Sequence, residues 1–287
     1  MWLGNEATPM QLQDFTTGKL PGRAIVKSAG PDARAFLHNL LTADIEGLAP
    51  GEATYAALLT PQGKILFDVF VFCDGLAYFI DCAAARKHDL LKRLGMYRLR
   101  AAVTIADDAS LEAGVAPRET HHAFRYADPR CAALGWRMMV GEGRLEPAAG
   151  YDATRIALGL ADSDGDIGSG ELFPHEANLD QFGAVSFTKG CYVGQEVVSR
   201  MEHRGLARSR ILPVRLDGPA PVKGSEVRGG DKPVGQILSS SGNRALALIR
   251  LDRLAEAPVP LLTEAVTVTV LKPAWARYEV PGAEESQ

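Results

Sequence analysis

Cys191 is the residue whose surroundings point most directly to chemistry. It stands in the run Lys189-Gly190-Cys191-Tyr192-Val193-Gly194-Gln195-Glu196. Gly190 and Gly194 permit a tight turn that bares backbone N–H groups. From Gln195 onward, Val197, Val198 and Met201 fall on one stripe of a 3.6-residue period, and Gly205 stands where such a helix would end. A sulfur at that helix N-terminus, next to the cation of Lys189, is drawn toward the thiolate, its reactive form. The same residues also read as a small buried side chain between two glycines that serve packing. Lys189, Arg200, His203 and Arg204 form a basic set suited to an anionic ligand tail or a partner surface, or simply to a solvated helix face. A Cys-dependent hydrolase would need a histidine base beside the sulfur, and the spacing of His175 and His203 does not place either there.

The other cysteines, Cys73, Cys82 and Cys131, lie far apart and form no Cys-x-x-Cys pair, and no His-Glu-x-x-His spacing occurs. Residues 161–166 are rich in aspartate but lack the closing glutamate of a calcium loop. No metal site within the chain is therefore expected.

The elements that must position Cys191 can be read in order. Residues 23–28 read as a strand, and Ala33, Phe36, Leu37, Leu40 and Leu41 recur at helical spacing after Pro31. Residues 54–59, 65–72 and 76–80 read as strands around a Pro61-Gln62-Gly63-Lys64 turn and a Cys73-Asp74-Gly75 turn. A helix over about 83–94 and a strand over 101–105 complete an antiparallel sheet with helical cover, the α+β class. Asp68 interrupts an apolar strand, and alternation would point it outward. Residues 107–150 are irregular apart from a strand near 135–140, and 151–160 reads as a helix. After Gly205 short strands at 211–216, 234–239, 245–251 and 266–271 alternate with turn residues, a pattern that predicts a small antiparallel barrel.

With 287 residues the chain is expected to hold two or three compact units. Its net charge of −4 argues against nucleic acid as a partner, and no apolar run is long enough to span a membrane. Residues 2–20 include Glu6 and Asp14 and carry neither a continuous apolar core nor an arginine-rich leader, so a cytoplasmic location is expected.

The run Lys-Gly-Cys-Tyr-x-Gly-Gln-Glu, with Arg200 and Arg204-Gly205 after it, resembles the signature of the YgfZ-type folate-binding proteins, relatives of the aminomethyltransferase (T-protein) of the glycine cleavage system. The resemblance extends to residues 28–44, to Pro61-Gln62-Gly63-Lys64 with Asp68, to Tyr97-Arg98-Leu99-Arg100, to Arg155-Ile156 with Gly159, and to 173–180. It implies two intertwined α+β units around a central folate channel, formed by 1–48 with 150–205 and by 49–149, and a C-terminal β-barrel over 206–287. It further implies tetrahydrofolate or a derivative as ligand, held by residues such as Asp68, Arg155 and Asn178. The implied partners are iron–sulfur client or assembly proteins, with Cys191 as the working thiol. The other function it offers is tetrahydrofolate-dependent aminomethyl transfer. Against that, the T-protein's adjacent aspartates align with Phe67 and Asp68, and its pterin-binding carboxylate aligns near Ala157.

Overall fold

The computed structural model describes residues 15–205 and 207–286. The chain opens with a short strand β1 (Gly18–Lys19) and then β2 (Arg23–Ala29), α1 (Ala33–Leu40), β3 (Ala53–Leu59), β4 (Ile65–Cys73), β5 (Ala77–Ala83), α2 (Lys87–Arg98) and β6 (Thr104–Asp107). Strands β3, β4, β5, β2 and β6 form one sheet in that spatial order. The sheet buries both faces. Val26, Leu58, Val69, Val71 and Ile80 pack under α1 and α2 with Leu37, Leu90 and Leu94, while Ile25, Tyr55, Phe70, Phe72 and Phe79 face the other way. A strand buried on both sides reads as a continuous apolar run, and that explains the texture of 65–73.

A second sheet takes β7 (Leu111–Ala116), β8 (Phe124–Ala127) and β9 (Trp136–Gly141), with β1 along the edge of β7. Phe124 and Tyr126 of β8 meet Phe72 of β4 with ring centroids 5.6 Å apart, so the two sheets share one core. Of this sheet only β9 was expected from the sequence. Strands β7 and β8 are short and flanked by polar residues, so alternation there is weak. The pairing also departs from the expected boundary at 48/49. Strand β2, on one side of it, pairs with β5 and β6 on the other, because hydrogen bonding follows the sheet and not the chain order.

After α3 (Tyr151–Ala157) the chain runs through a single π-helical turn at Ser163–Ile167 and a long irregular stretch to α4 (Gln195–Arg204). The last unit comprises β10 (Ser209–Leu216), β11 (Glu226–Gly229), β12 (Lys232–Ser241), β13 (Arg244–Arg250), a helical turn α5 (Leu251–Leu254), β14 (Leu261–Thr263) and β15 (Val266–Lys272). Strand β10 pairs with both β13 and β15, which closes six strands into a barrel around Leu212, Val214, Val234, Ile237, Ala247 and Val268. A two-residue strand β16 (Glu284–Glu285) lies parallel to the end of β15. The fold is thus the α+β arrangement with a C-terminal barrel that the resemblance implied.

Candidate functional site

The helix expected after Cys191 is α4, entered through Gly194 at φ 82° and ended by Gly205 at φ 57°. Gly194 is required twice over. A Cβ there would strike the Thr60 carbonyl oxygen at 2.6 Å and the Gly63 Cα at 2.9 Å. Gly63, at φ 81°, faces Val197 almost as closely, a Cβ there meeting its Cβ at 3.0 Å. The cysteine loop therefore docks on the Thr60–Lys64 turn, joining two motifs far apart in sequence. Gly190 meets nothing within 4 Å, so the close approach rests on Gly194 and not on both glycines.

Cys191 is exposed, at the side of an open groove of about 450 Å³ shared with Pro61, Tyr192, Gln195, Glu196 and Ser199. The packing reading of this cysteine is thereby set aside, since Tyr192 and Val198 supply the buried anchors on either side. Lys189 does not do what the sequence predicted. Its ammonium turns inward and donates to the carbonyls of His38, Leu41 (2.5 Å) and Ala43 (2.8 Å), stapling the cysteine loop to the segment after α1. Burial pulls Lys189 down to about 8, with Asp44 and Glu46 acting against that. Its charge is thus committed to backbone oxygens. Glu196 and Arg200 pair with each other at 2.6 Å on the outer face of α4, and Arg204 lies exposed in its last turn. His175 is buried and its Nε2 lies 3.0 Å from Glu202, so it is engaged at the far end of α4 and not as a base for Cys191.

Asp68 lies elsewhere, in a cavity of about 160 Å³ between the two sheets. It is buried, not outward as alternation predicted, because β4 is covered on both faces. Its Oδ2 accepts from the Tyr55 hydroxyl and the Ser163 hydroxyl, each at 2.9 Å. Burial raises its pKa, and Arg23 and the Ser163 hydrogen bond only partly offset this. The remaining wall is dominated by arginines. Arg23, Arg130 and Arg137 place their guanidinium carbons 5.4, 4.8 and 3.8 Å from the centroid of the Phe70 ring. Asp81 accepts from Arg23 Nε at 2.6 Å and from Arg137 Nη2 at 2.5 Å, while Asp128 accepts from Arg130 at 2.8 Å and lies 3.5 Å from Arg137. For Asp81, burial alone would raise the pKa; Arg137 and then Arg23 overcome it and hold the carboxyl below its usual range. Asp128 follows the same pattern through Arg130.

Arg155 and Asn178 do not join Asp68 in the wall of this cavity; both hold the barrel to the rest of the protein. Arg155 donates to Asp152 at 2.6 Å and to Asp166 at 2.8 Å, and Asp166 in turn accepts from the backbone N–H of Ser239 in β12. Asn178, at φ 61°, donates to the Ile211 carbonyl at 2.7 Å and accepts from the Tyr278 hydroxyl at 2.8 Å. Arg210 completes the joint with hydrogen bonds to Asp180 and the His175 carbonyl, both at 2.6 Å. Among the described residues His175, Asp180 and Glu202 bring one prospective metal ligand each within 4.8 Å of the others. Both Asp180 oxygens already accept from Arg210, which leaves an arginine where a cation would go.

Sequence reasoning missed Arg23, Asp81, Asp128, Arg130 and Arg137 altogether. The one signal available was Asp81 inside the apolar run Tyr78-Phe79-Ile80-Asp81-Cys82, a carboxylate that a two-sided strand must bury. The arginines carried no such mark, since isolated arginines usually belong to the surface.

This architecture defines a class: a T-protein-like fold carrying a barrel of the CAF17 type. The model of the CAF17 C-terminal β-barrel domain matches residues 208–278. The crystal structure of glycine cleavage system aminomethyltransferase T from Bartonella henselae superposes with a TM-score of 0.72 over 94% of this chain and 88% of that one; at 14% identity it shows the fold alone. The chain is 31% identical to the mitochondrial iron–sulfur cluster assembly factor IBA57 of Mus musculus, over 91% of this chain and 85% of the relative. It is 30% identical to its Homo sapiens counterpart, over 82% and 78%. The chain belongs to the IBA57 family of iron–sulfur cluster assembly factors. The wider YgfZ-type resemblance is a related family. The relatives are named as mitochondrial proteins, which overturns the cytoplasmic expectation; most of the N-terminal stretch on which that expectation rested, residues 1–14, lies outside the described residues.

Proposed function

We propose that this chain is an iron–sulfur cluster assembly factor that works through the thiol of Cys191, presented to a partner protein or to the cluster being assembled. The observation that carries this reading is the setting of Cys191. It is exposed beside an open groove, while the residues on both sides of it are pinned by Lys189 and Gly194. A thiolate is a natural ligand for iron in such clusters. One cysteine without nearby protein ligands among the described residues suits a hand-over or a shared site, in which a partner supplies the rest. Family membership supports the same process, since the relatives are named as assembly factors.

A reduced folate in the central cavity is the second part of the proposal. Asp68 and Asp162 offer carboxylates to the donor edge of a pterin, while Lys19 and Arg23 at the same wall are already paired with Glu112 and Asp81. The volume, about 160 Å³, lies below the ~300 Å³ from which drug-sized ligand pockets begin, so the fit covers the ring system and leaves the tail outside. Aminomethyl transfer finds no support in this wall. Its only counterpart to the T-protein's two aspartates is Asp68, whose raised pKa reflects burial.

The test has two arms. Cells lacking this protein should regain iron–sulfur enzyme activity when the chain is restored; failure to regain it sinks the assembly reading. Tetrahydrofolate should raise the melting temperature by mass action, since it binds the folded state alone. No shift at millimolar ligand would remove the folate part and leave the first arm standing.

A further inference from the structure

The C-terminal end of α2 carries a surface that neither the thiol nor the cavity accounts for. Over residues 86–100 the chain has six Lys and Arg residues against one carboxylate, Asp89, in a protein of net charge −4. Arg86 pairs with Asp89 and Lys87 with Asp107. Among the described residues Lys92, Arg93, Arg98 and Arg100 have no carboxylate partner. Two large apolar side chains stand among these cations: Met96 is 62% exposed and Leu99 87%. Tyr97 between them packs on the core, so the segment is well anchored and the two side chains are outward by geometry. Leu99 also closes α2 at φ 45° and ψ −108°, a positive-φ conformation that glycine tolerates and that strains a leucine. A strained, solvated leucine in that place contributes nothing to the fold. The helix dipole accounts for a cation in the last turn but not for Arg100 beyond it, nor for the leucine.

Next to this turn runs β6, whose only sheet neighbour among the described residues is β2, so among them its outer edge offers unpaired peptide groups. Thr104, Ala106 and Asp107 on it are exposed.

We propose that the end of α2 and the free edge of β6 form a docking surface for an extended acidic segment of a partner protein. The segment's backbone pairs with β6, its carboxylates meet Arg98 and Arg100, and an apolar side chain covers Leu99 and Met96. Strand addition of this kind draws affinity from main-chain hydrogen bonds and selectivity from side chains beside the edge. A membrane surface fits less well. The apolar stripe of α2, Leu90 and Leu94, is already buried in the core, so the helix has no face left to lay into lipid.

The test uses the full chain in cells that depend on it, with the photocrosslinker p-benzoylphenylalanine introduced at position 99. The expected product is a crosslink into an Asp- or Glu-rich segment of a protein. Arg98→Glu with Arg100→Glu in the same chain should lower its yield at least tenfold, and lysines placed at the crosslinked segment's acidic positions should restore it. The chain should stay folded with these substitutions, its melting temperature lowered only slightly by a carboxylate at the C-terminal end of α2, because neither side chain has an ion pair or hydrogen bond among the described residues. Crosslinks confined to lipid, no crosslink at all, or a yield indifferent to charge reversal would each overturn the proposal.

Discussion

Replacing Asp81 with asparagine removes one negative charge and leaves the shape of the site intact. Asp81 is 2% exposed and lies between the guanidinium groups of Arg23 and Arg137, whose side chains are also largely buried. Asparagine retains one acceptor oxygen, so a single side-chain hydrogen bond survives, beside the one from Arg23 Nη2 to the Asp81 carbonyl at 2.9 Å, while the two arginines lose the carboxylate they share. Arg137 keeps Asp128 at 3.5 Å, and Arg23 keeps the Ser163 hydroxyl at 2.6 Å and Asp162 at 3.9 Å. Removing one member of a buried ion pair costs about 3–5 kcal/mol, because the remaining charge is desolvated without compensation. The surviving contacts place Asp81→Asn at the lower end, about 3 kcal/mol, or on the order of 6–10 °C in Tm for a chain of this size. Urea denaturation at pH 7 followed by circular dichroism measures it. The acid limb gives a second reading. The folded pKa of Asp81 lies below the unfolded one, so its contribution is present above about pH 4 and is lost as pH falls through the depressed folded value. The variant should therefore lose less stability on acidification than the native chain. A loss under about 1 kcal/mol, with an unchanged acid limb, would show that the arginines do not depend on Asp81 and would refute the buried-cluster reasoning.

Lys189→Met should leave the core intact but free the cysteine loop from the Leu41–Ala43 segment, seen as faster amide exchange over residues 186–193; unchanged exchange would mean the staple is incidental. Because burial lowers Lys189 from 10.5 to about 8, the unfolded chain holds that proton more tightly. The native protein should thus gain stability relative to Lys189→Met as pH rises from about 8 toward 10, checked by denaturation at both ends of that range. Asp68→Asn carries the opposite sign to Asp81→Asn. Its raised pKa penalises the charged form at neutral pH, so the variant should be neutral or slightly stabilising. It should also reduce any tetrahydrofolate-induced shift in Tm; a retained shift would place the ligand elsewhere. Asn178→Ala should cost about 2–3 kcal/mol by orphaning the buried Ile211 carbonyl and forfeiting the left-handed preference of asparagine, with earlier proteolytic nicking between α4 and the barrel as its mark.

The elements around Cys191 were legible because local rules governed them. Gly194 and Gly205 bracket α4 as helix punctuation, and strand and turn residues announced β3 to β5 and four of the barrel strands. Strands β7, β8, β11 and β14 escaped because their pairing partners, not their own periodicity, define them. The candidate site was legible only in part. The motif singles out Cys191, which stands exposed beside a groove, but the direction of Lys189 depends on three carbonyls about 150 residues upstream, which no local pattern encodes. The family resemblance offers Arg155 and Asn178 as ligand contacts, and polar residues that bind a ligand or fasten a joint look alike in a sequence. Only the positions of Asp166, Ile211 and Tyr278 reveal them as the barrel's fasteners.

The central claim is that Cys191 is the working thiol of an iron–sulfur assembly factor. It is tested most directly in cells lacking this protein, by assaying an iron–sulfur enzyme after restoring the native chain, Cys191→Ser or Cys131→Ser at matched abundance. Cys131 is half-buried, whereas Cys191 is exposed, so the pair separates a general thiol effect from a specific one. The predicted result is full activity with Cys131→Ser and the level of the deficient cells with Cys191→Ser, although both variants melt like the native protein. Full activity with Cys191→Ser would contradict the account.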